Sequence, residues 1–368
     1  MNYPTIVTMF YDIRKFDNTH VNDNRQKNKY IELAQQFILL LPYPIIFFID
    51  DEDNETYNII YNIRNELNLL HFTHIFKFDF KKTYFYKDLL KLEELQTKFF
   101  IHNGDLKHET PFYIILTNNK FYFVEKAIEL NPFNSSHLIW MDFGINHVAK
   151  NTELIHEWIT KVPDKIKQLC INPYIENAEP KKYFENIWHN CAGGLFSGSK
   201  ENLLKYVELF KQKTEQIYNE EWYQLEEAVM TIIQRENYHL FDFYYGDYEG
   251  IISNYLKPLH SWWLINTNID KCLNMNNTKY LYNLLIYLDL FFSFEENQNN
   301  DNFYKYINSN IICNYYQNNK CLRIEIIDLI NKKISENDEK MKNILNYNKN
   351  NLNFYDNKEL IKLNFIQL

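Results

Sequence analysis

Residues 45–49 read Ile-Ile-Phe-Phe-Ile, with Pro42 and Pro44 before them and Asp50-Asp51 after. A continuous apolar run of this length, bounded by breakers, reads as a buried strand of a parallel sheet, covered on both faces and closed by a turn. The flanking segments fit that requirement. Thr5–Tyr11 is β-branched and aromatic, so it reads as a second buried strand, and Thr73–Phe78 as a third. Between them, Asn28–Leu41 carries Ile31, Ala34, Phe37, Ile38 and Leu41 on one helical stripe, and Thr56–Leu67 returns to helix. Asp88–Phe99 and Tyr113–Leu130 are further helices. The βαβαβα order predicts an α/β fold with a mostly parallel, Rossmann-like central sheet covered by helices. Ligands in such sheets bind outside the carboxyl ends of the strands.

The middle of the chain continues with strands at His137–Met141, Lys165–Ile171, Ala192–Ser197 and His239–Phe243, and helices at Lys200–Tyr218 and Glu220–Arg235. Beyond about Thr267 the character changes. Lys279–Phe294, Phe303–Tyr315 and Leu322–Ile334 read as amphipathic helices separated by Asn-rich connectors. The expected division is a nucleotide-binding α/β domain over 1–266 and a helical C-terminal extension over 267–368.

Charge excludes one class of partner. The formal net charge is 39 − 48 = −9 and no long basic run occurs, which argues against nucleic acid. The first residues lack a signal-peptide pattern, and no apolar stretch reaches the roughly 18–20 residues of a membrane span. Leu281–Phe294 comes nearest but is interrupted by Asn283 and Asp289. Cys170, Cys191, Cys272, Cys313 and Cys321 are scattered, odd in number and without a CxxC pair, so reduced thiols and a cytoplasmic location are expected.

Glycine is scarce. Of the seven in the chain, all but Gly104 fall in three short segments: Asp142-Phe143-Gly144, Gly193–Gly198, and Gly246–Gly250. Scarce glycines are expected where the backbone needs positive φ or where a ligand approaches the main chain. Two of the segments also carry an acidic residue, and three such turns at strand ends could meet at one end of a sheet.

In the first segment an apolar run ends in Asp142, the placement of a carboxylate that holds a divalent cation or a ribose. His147 follows as a second ligand or orienting group. Gly193-Gly194 suits close approach to a sugar, and Trp188, His189 and Asn190 offer stacking and hydrogen bonds to an acceptor. Glu226 and Glu227 are adjacent on a helix, so their side chains diverge by about 100° and at most one is expected to face a cleft. That one could serve as the general base for an acceptor hydroxyl. Asp247 and His260 lie farther on, His260 beside Trp262-Trp263. Asp50-Asp51-Glu52-Asp53 does not fit an EF-hand and reads as a solvated turn, and His71 and His74 read as structural. No Walker, GxSxG, HExxH or GxGxxG motif occurs.

Taken in order, these blocks resemble the bacterial HtrL/YibB family, read as glycosyltransferases. The likeness runs through Thr5–Ile13, Tyr113–Lys120 with Phe123–Ile128 and Asn131-Pro132-Phe133, then Trp140–His147, Gly193–Gly198, Glu226-Glu227, and Gly246-Asp247-Tyr248 with Asn254-Tyr255. It spans roughly residues 4–256.

The resemblance implies a GT-A-like fold and transfer of a sugar from a nucleotide-linked donor, UDP-linked by expectation, to a glycan or protein acceptor. It places Thr8, Phe10 and Tyr11 near the nucleoside. Asp142, Gly144, Lys120, Gly193 and Gly194 fall around the donor, with Asp142 or Lys120 steadying the diphosphate. Glu227 or Asp247 faces the acceptor. Asp142 and His260 are the expected ligands of Mn2+ or Mg2+, although Gly144 stands where many such enzymes have the second Asp of Asp-x-Asp. Two other readings stay open: a glycan-binding scaffold on a decayed transferase fold, and a sugar-nucleotide hydrolase.

Overall fold

The computed structural model describes residues 3–17, 26–102, 104–105, 108–171 and 180–256. By compactness the chain divides into one unit of residues 1–244 and 248–256 and a second of 245–247 and 257–368. All the described residues except 245–247 belong to the first unit. The helices expected beyond Thr267, and His260 with Trp262-Trp263, lie outside the described residues.

The described elements run β1 (Thr5–Phe10), α1 (Lys27–Gln36), β2 (Ile45–Ile49), α2 (Asn54–Glu66), β3 (Thr73–Lys77), α3 (Leu89–Lys98), α4 (Pro111–Leu130) and β4 (His137–Met141). They continue through α5 (Ile155–Trp158), β5 (Ile166–Cys170), α6 (Pro180–Phe184), β6 (Cys191–Ser199), α7 (Lys200–Asn219), α8 (Glu226–Glu236) and β7 (Phe241–Tyr245). The strands form one sheet of order β3-β2-β1-β4-β6-β5-β7. The pairs β1–β2, β2–β3 and β1–β4 are parallel, whereas β6 runs antiparallel to both β4 and β5. The fold is therefore mixed α/β, with a mostly parallel sheet flanked by helices.

Several expected elements shift. The helix expected over Asn28–Leu41 ends at Gln36, where Phe37 leaves the helical conformation and a 3-10 turn follows at Ile38–Leu40. The helix expected over Glu220–Arg235 begins at Glu226, because Glu221 takes the left-handed conformation (φ 63°) and turns the chain between α7 and α8. The last strand starts at Phe241 and not at His239, since residues 238–240 form a 3-10 turn.

Side-chain alternation divides β1 between two layers. Val7 and Tyr11 join the cluster formed with α4, where Phe121, Phe123 and Val124 are buried. Phe10 points the other way, towards Tyr30 of α1 and Phe143. Helix α4 is capped by Thr110, whose hydroxyl accepts from the Tyr113 N–H, with Pro111 at its start and left-handed Asn131 at its end. Its middle is buried on every side, including Asn118, Asn119 and Lys120. No helix among the described residues is long and apolar enough to cross a membrane.

The turn after β2 is only partly solvated, contrary to the sequence expectation. Asp51 and Glu52 are exposed, but Asp50 and Asp53 are buried. Asp53 caps α2 through the Thr56 N–H and pairs with Lys27 at 2.9 Å.

On the same side of the sheet, Arg64 of α2 is fully buried. Its guanidinium donates to the carbonyls of Leu41 (2.5 Å), Tyr43 (3.1 Å), Leu39 and Phe72 (3.3 Å each), and to Thr73 Oγ1 (2.7 Å). Burial pulls its pKa down to about 10, so it remains charged at neutral pH. These bonds tie the chain entering β2 to the chain entering β3. Arg64→Met strands several buried carbonyls, and the expected loss is about 3 kcal/mol in urea unfolding. An unchanged midpoint would contradict the stapling role.

Candidate active site

The strand order reverses direction at β1: the chain winds outward to β2 and β3, then crosses back to β4. Such a switch point leaves a crevice at the carboxyl ends of the two parallel strands. A cavity of about 460 Å³ occupies that position, lined by Phe10 and Tyr11 after β1 and by Asp142–Ile145 after β4. Because β6 is antiparallel, its amino end lies at the same edge. Asp142 N–H donates to the Gly194 carbonyl (2.9 Å). Helix α8 then brings Glu226 and Glu227 to the cavity on its first turn, where carboxylates also suit the helix dipole.

Both glutamates line the cavity, although helical geometry had suggested that one would turn away. They do so by engaging different partners. Glu226 Oε1 receives the Lys120 ammonium at 2.8 Å, and the same ammonium reaches Asp142 Oδ2 and the Gly193 carbonyl, each at 3.2 Å. Glu227 Oε1 accepts from the Gly193 N–H (2.8 Å), and its Oε2 accepts from the Tyr248 hydroxyl (2.7 Å). His189 Nδ1 lies 3.0 Å from that hydroxyl. Tyr248 has one proton, already donated to a carboxylate that can only accept, so His189 Nδ1 is the donor in that contact. His189 holds a left-handed φ of 46°, an uncommon backbone state for a residue with a side chain.

The electrostatics follow from burial. Desolvation opposes charge on Lys120, but Asp142 and Glu226 more than offset it and raise its pKa. Burial pushes Glu226 above its ordinary value, with Lys120 opposing the shift and Glu227 adding to it. The proton between Lys120 and Glu226 therefore stays on the lysine. Burial and the neighbouring Glu227 push the Tyr248 phenol up, which keeps it a donor. Asp142 Oδ1 is held by the Trp140 indole N–H at 2.8 Å.

Of the residues expected around a donor, Phe10, Tyr11, Lys120, Asp142, Gly144 and Gly194 line the cavity, as do Glu227, His147 and His189. Thr8 does not: it is fully buried within β1, and its hydroxyl has no partner. Gly193 contributes main-chain groups that hold Glu227 and Lys120, not a wall. Trp188 turns its indole N–H to the Tyr183 carbonyl, and Asn190 is buried. Asp247 belongs to the second unit and His260 lies outside the described residues. Sequence reasoning weighed Glu226 against Glu227 and settled on Glu227, and Tyr248 entered only through the resemblance; Arg14, which lines the cavity and pairs with Asp12 at 2.7 Å, was not singled out.

Of the described glycines only Gly246 has a positive φ, at 159° and close to extended; the left-handed positions are held by asparagines, His189 and Glu221. Glycine is needed instead because side chains press on the main chain. A Cβ on Gly193 would lie 2.7 Å from Glu226 Oε1, and one on Gly144 would lie 2.7 Å from the Tyr30 ring.

The described residues do not fit a divalent cation. No group of three His, Cys, Asp or Glu among them could hold one. Both oxygens of Asp142 are engaged, and Tyr30 fills the space a side chain at position 144 would need.

The profile of the family described as "Bacterial protein of unknown function (HtrL_YibB)" matches residues 2–255, and the chain belongs to that family. No curated protein matches. Among solved structures, one similar chain is the galactosyltransferase LgtC in complex with donor and acceptor sugar analogs. The identity is 11 %, the TM-score 0.33, and the match covers 65 % of this chain and 72 % of that one.

Gly193→Ala tests the carboxylate cradle. The new methyl must displace Glu226 and crowd Glu227, so unfolding free energy should fall by about 1–3 kcal/mol. Wild-type stability in this variant would show that the first turn of α8 gives way freely.

Proposed function

We propose that the protein is a glycosyltransferase that moves a sugar from a nucleotide-linked donor to a hydroxyl of a glycan or glycoprotein. The observation that carries this reading is the cavity at the β1/β4 switch point, whose lining combines aromatic rings with the carboxylates of Asp142, Glu226 and Glu227. Phe10, Tyr30 and Phe143, which pack against one another, form an apolar wall against which a nucleobase can lie. Asp142 and Glu227 offer oxygens that accept hydrogen bonds from sugar hydroxyls.

Lys120 does not serve the diphosphate in the way the sequence suggested. An ammonium has three donors, and all three are committed to Glu226, Asp142 and Gly193. The reading assigns the diphosphate to Arg14, whose guanidinium lines the cavity just beyond β1.

Glu227 is the base in this scheme. Its carboxylate is fixed by the Gly193 N–H and the Tyr248 hydroxyl, and each oxygen retains a second lone pair. The acceptor oxygen bonds to the anomeric carbon, and the bond from that carbon to the diphosphate breaks, its electron pair leaving with the phosphate. The acceptor proton passes to Glu227. Free cysteines at 170 and 191 support a cytoplasmic location, where nucleotide sugars are made.

A panel of UDP-, GDP-, CMP- and dTDP-linked sugars, read by thermal shift and by acceptor-dependent nucleotide release, tests the reading. At least one donor should stabilise the protein and be turned over. Glu227→Gln should bind that donor normally and lose about 100-fold or more in kcat. A donor panel without a single thermal shift, or full turnover by Glu227→Gln, would sink the proposal in its respective part. Equal sugar release with and without acceptor would point to a hydrolase.

A further inference from the structure

Glu226, Asp142 and the Gly193 carbonyl converge on one point, and that point is occupied. Their oxygens come from three separate elements: the start of α8, the end of β4 and the start of β6. In the middle sits the Lys120 ammonium, delivered by the buried α4. Three oxygens of this kind around one centre form half of the oxygen shell that a hard divalent cation takes. The distances of 2.8–3.2 Å suit an ammonium and are too long for metal–oxygen bonds of about 2.0–2.6 Å. The lysine side chain is only 7 % exposed, so it is not a passing surface contact.

We propose that Lys120 is the resident cation of this site, a covalently tethered substitute for a divalent ion. It holds Asp142 and Glu226 together, and donor binding proceeds without added metal. Two cations cannot share the three-oxygen point. Displacing the lysine would leave an ammonium buried without its partners, which is strongly unfavourable. The second half of a metal shell is also blocked. Trp140 holds the other Asp142 oxygen, and the Tyr30 ring stands against Gly144, where a second carboxylate would have to project. Lys120 is a positioning residue here, since its donors are spent on the protein and not on substrate. Only the consequence for donor binding rests on the transferase reading; the occupancy of the cation point does not.

The test therefore has an arm without any donor. Mn2+ is titrated against the full chain and against Lys120→Ala, with melting temperature and bound metal measured after gel filtration. The wild type should retain no Mn2+ and melt unchanged. Lys120→Ala opens the three-oxygen point, so it should be less stable and should recover several degrees with Mn2+. Stoichiometric Mn2+ on the wild type, or a soluble Lys120→Ala indifferent to Mn2+, would overturn the proposal. If Lys120→Ala is insoluble under all conditions, the wild-type titration decides alone.

In the second arm, the donor identified by the panel is bound to the wild type in EDTA and in Mn2+. The two dissociation constants should agree within about twofold, and a difference of about tenfold or more in favour of Mn2+ would overturn the proposal. Failure of every donor in both buffers would remove the transferase reading, while the metal arm still decides whether Lys120 fills the cation point.

Discussion

The Lys120 ammonium is the contact on which the candidate site depends. It joins α4 to β4, β6 and α8 through one buried charge and three oxygens. A buried cation is costly unless every donor is satisfied and its charge is matched. Here Glu226 is as buried as Lys120, with 6 % of its side chain exposed against 7 %, and supplies the match; Asp142, at 35 %, carries the charge pattern out to the cavity. The same Gly193 residue that accepts from Lys120 donates to Glu227, so it fixes Glu227 directly and Glu226 through the lysine. Moving any one member moves the others.

The sheet explains why these groups meet. A parallel β1–β4 pair opens a crevice where the order reverses, and an antiparallel β6 turns its glycine-rich start towards the same edge. The absence of side chains at Gly193 and Gly194 lets Glu226, Glu227 and Asp142 close to van der Waals distance of the strand. The result is one cavity whose lining carries both carboxylates and aromatic rings.

Much of this was legible in the sequence, for identifiable reasons. Ile45–Ile49 and His137–Met141 fall where their apolar runs end, because a fully buried strand leaves no polar residue to blur its limits. Asp142, Gly144 and Gly194 also fall at the edge of the sheet where the cavity lies. The role of Lys120 was not legible, because its partners lie 22, 73 and 106 residues away. One signal was available: Asn118-Asn119-Lys120 interrupts an otherwise apolar helix, and polar residues within a buried helix must find partners. Arg64 escaped notice for a similar reason, since all its acceptors but the Thr73 hydroxyl are backbone carbonyls with no side-chain signature. Thr8 came from the resemblance alone, and alternation along β1 leaves it buried and away from the cavity lining.

The central claim is that the cavity at the β1/β4 switch point receives a nucleotide sugar, with its base among the aromatics and its sugar at the carboxylates. A crystal structure of the full chain with the nucleoside diphosphate selected by binding tests this most directly. The expected result is the heterocycle against Phe10, Tyr30 or Phe143, the diphosphate at Arg14, and Lys120 still bridging Glu226 and Asp142. A nucleotide bound elsewhere, or one seated in the cavity with its diphosphate on Lys120 and the bridge to Glu226 broken, would contradict it.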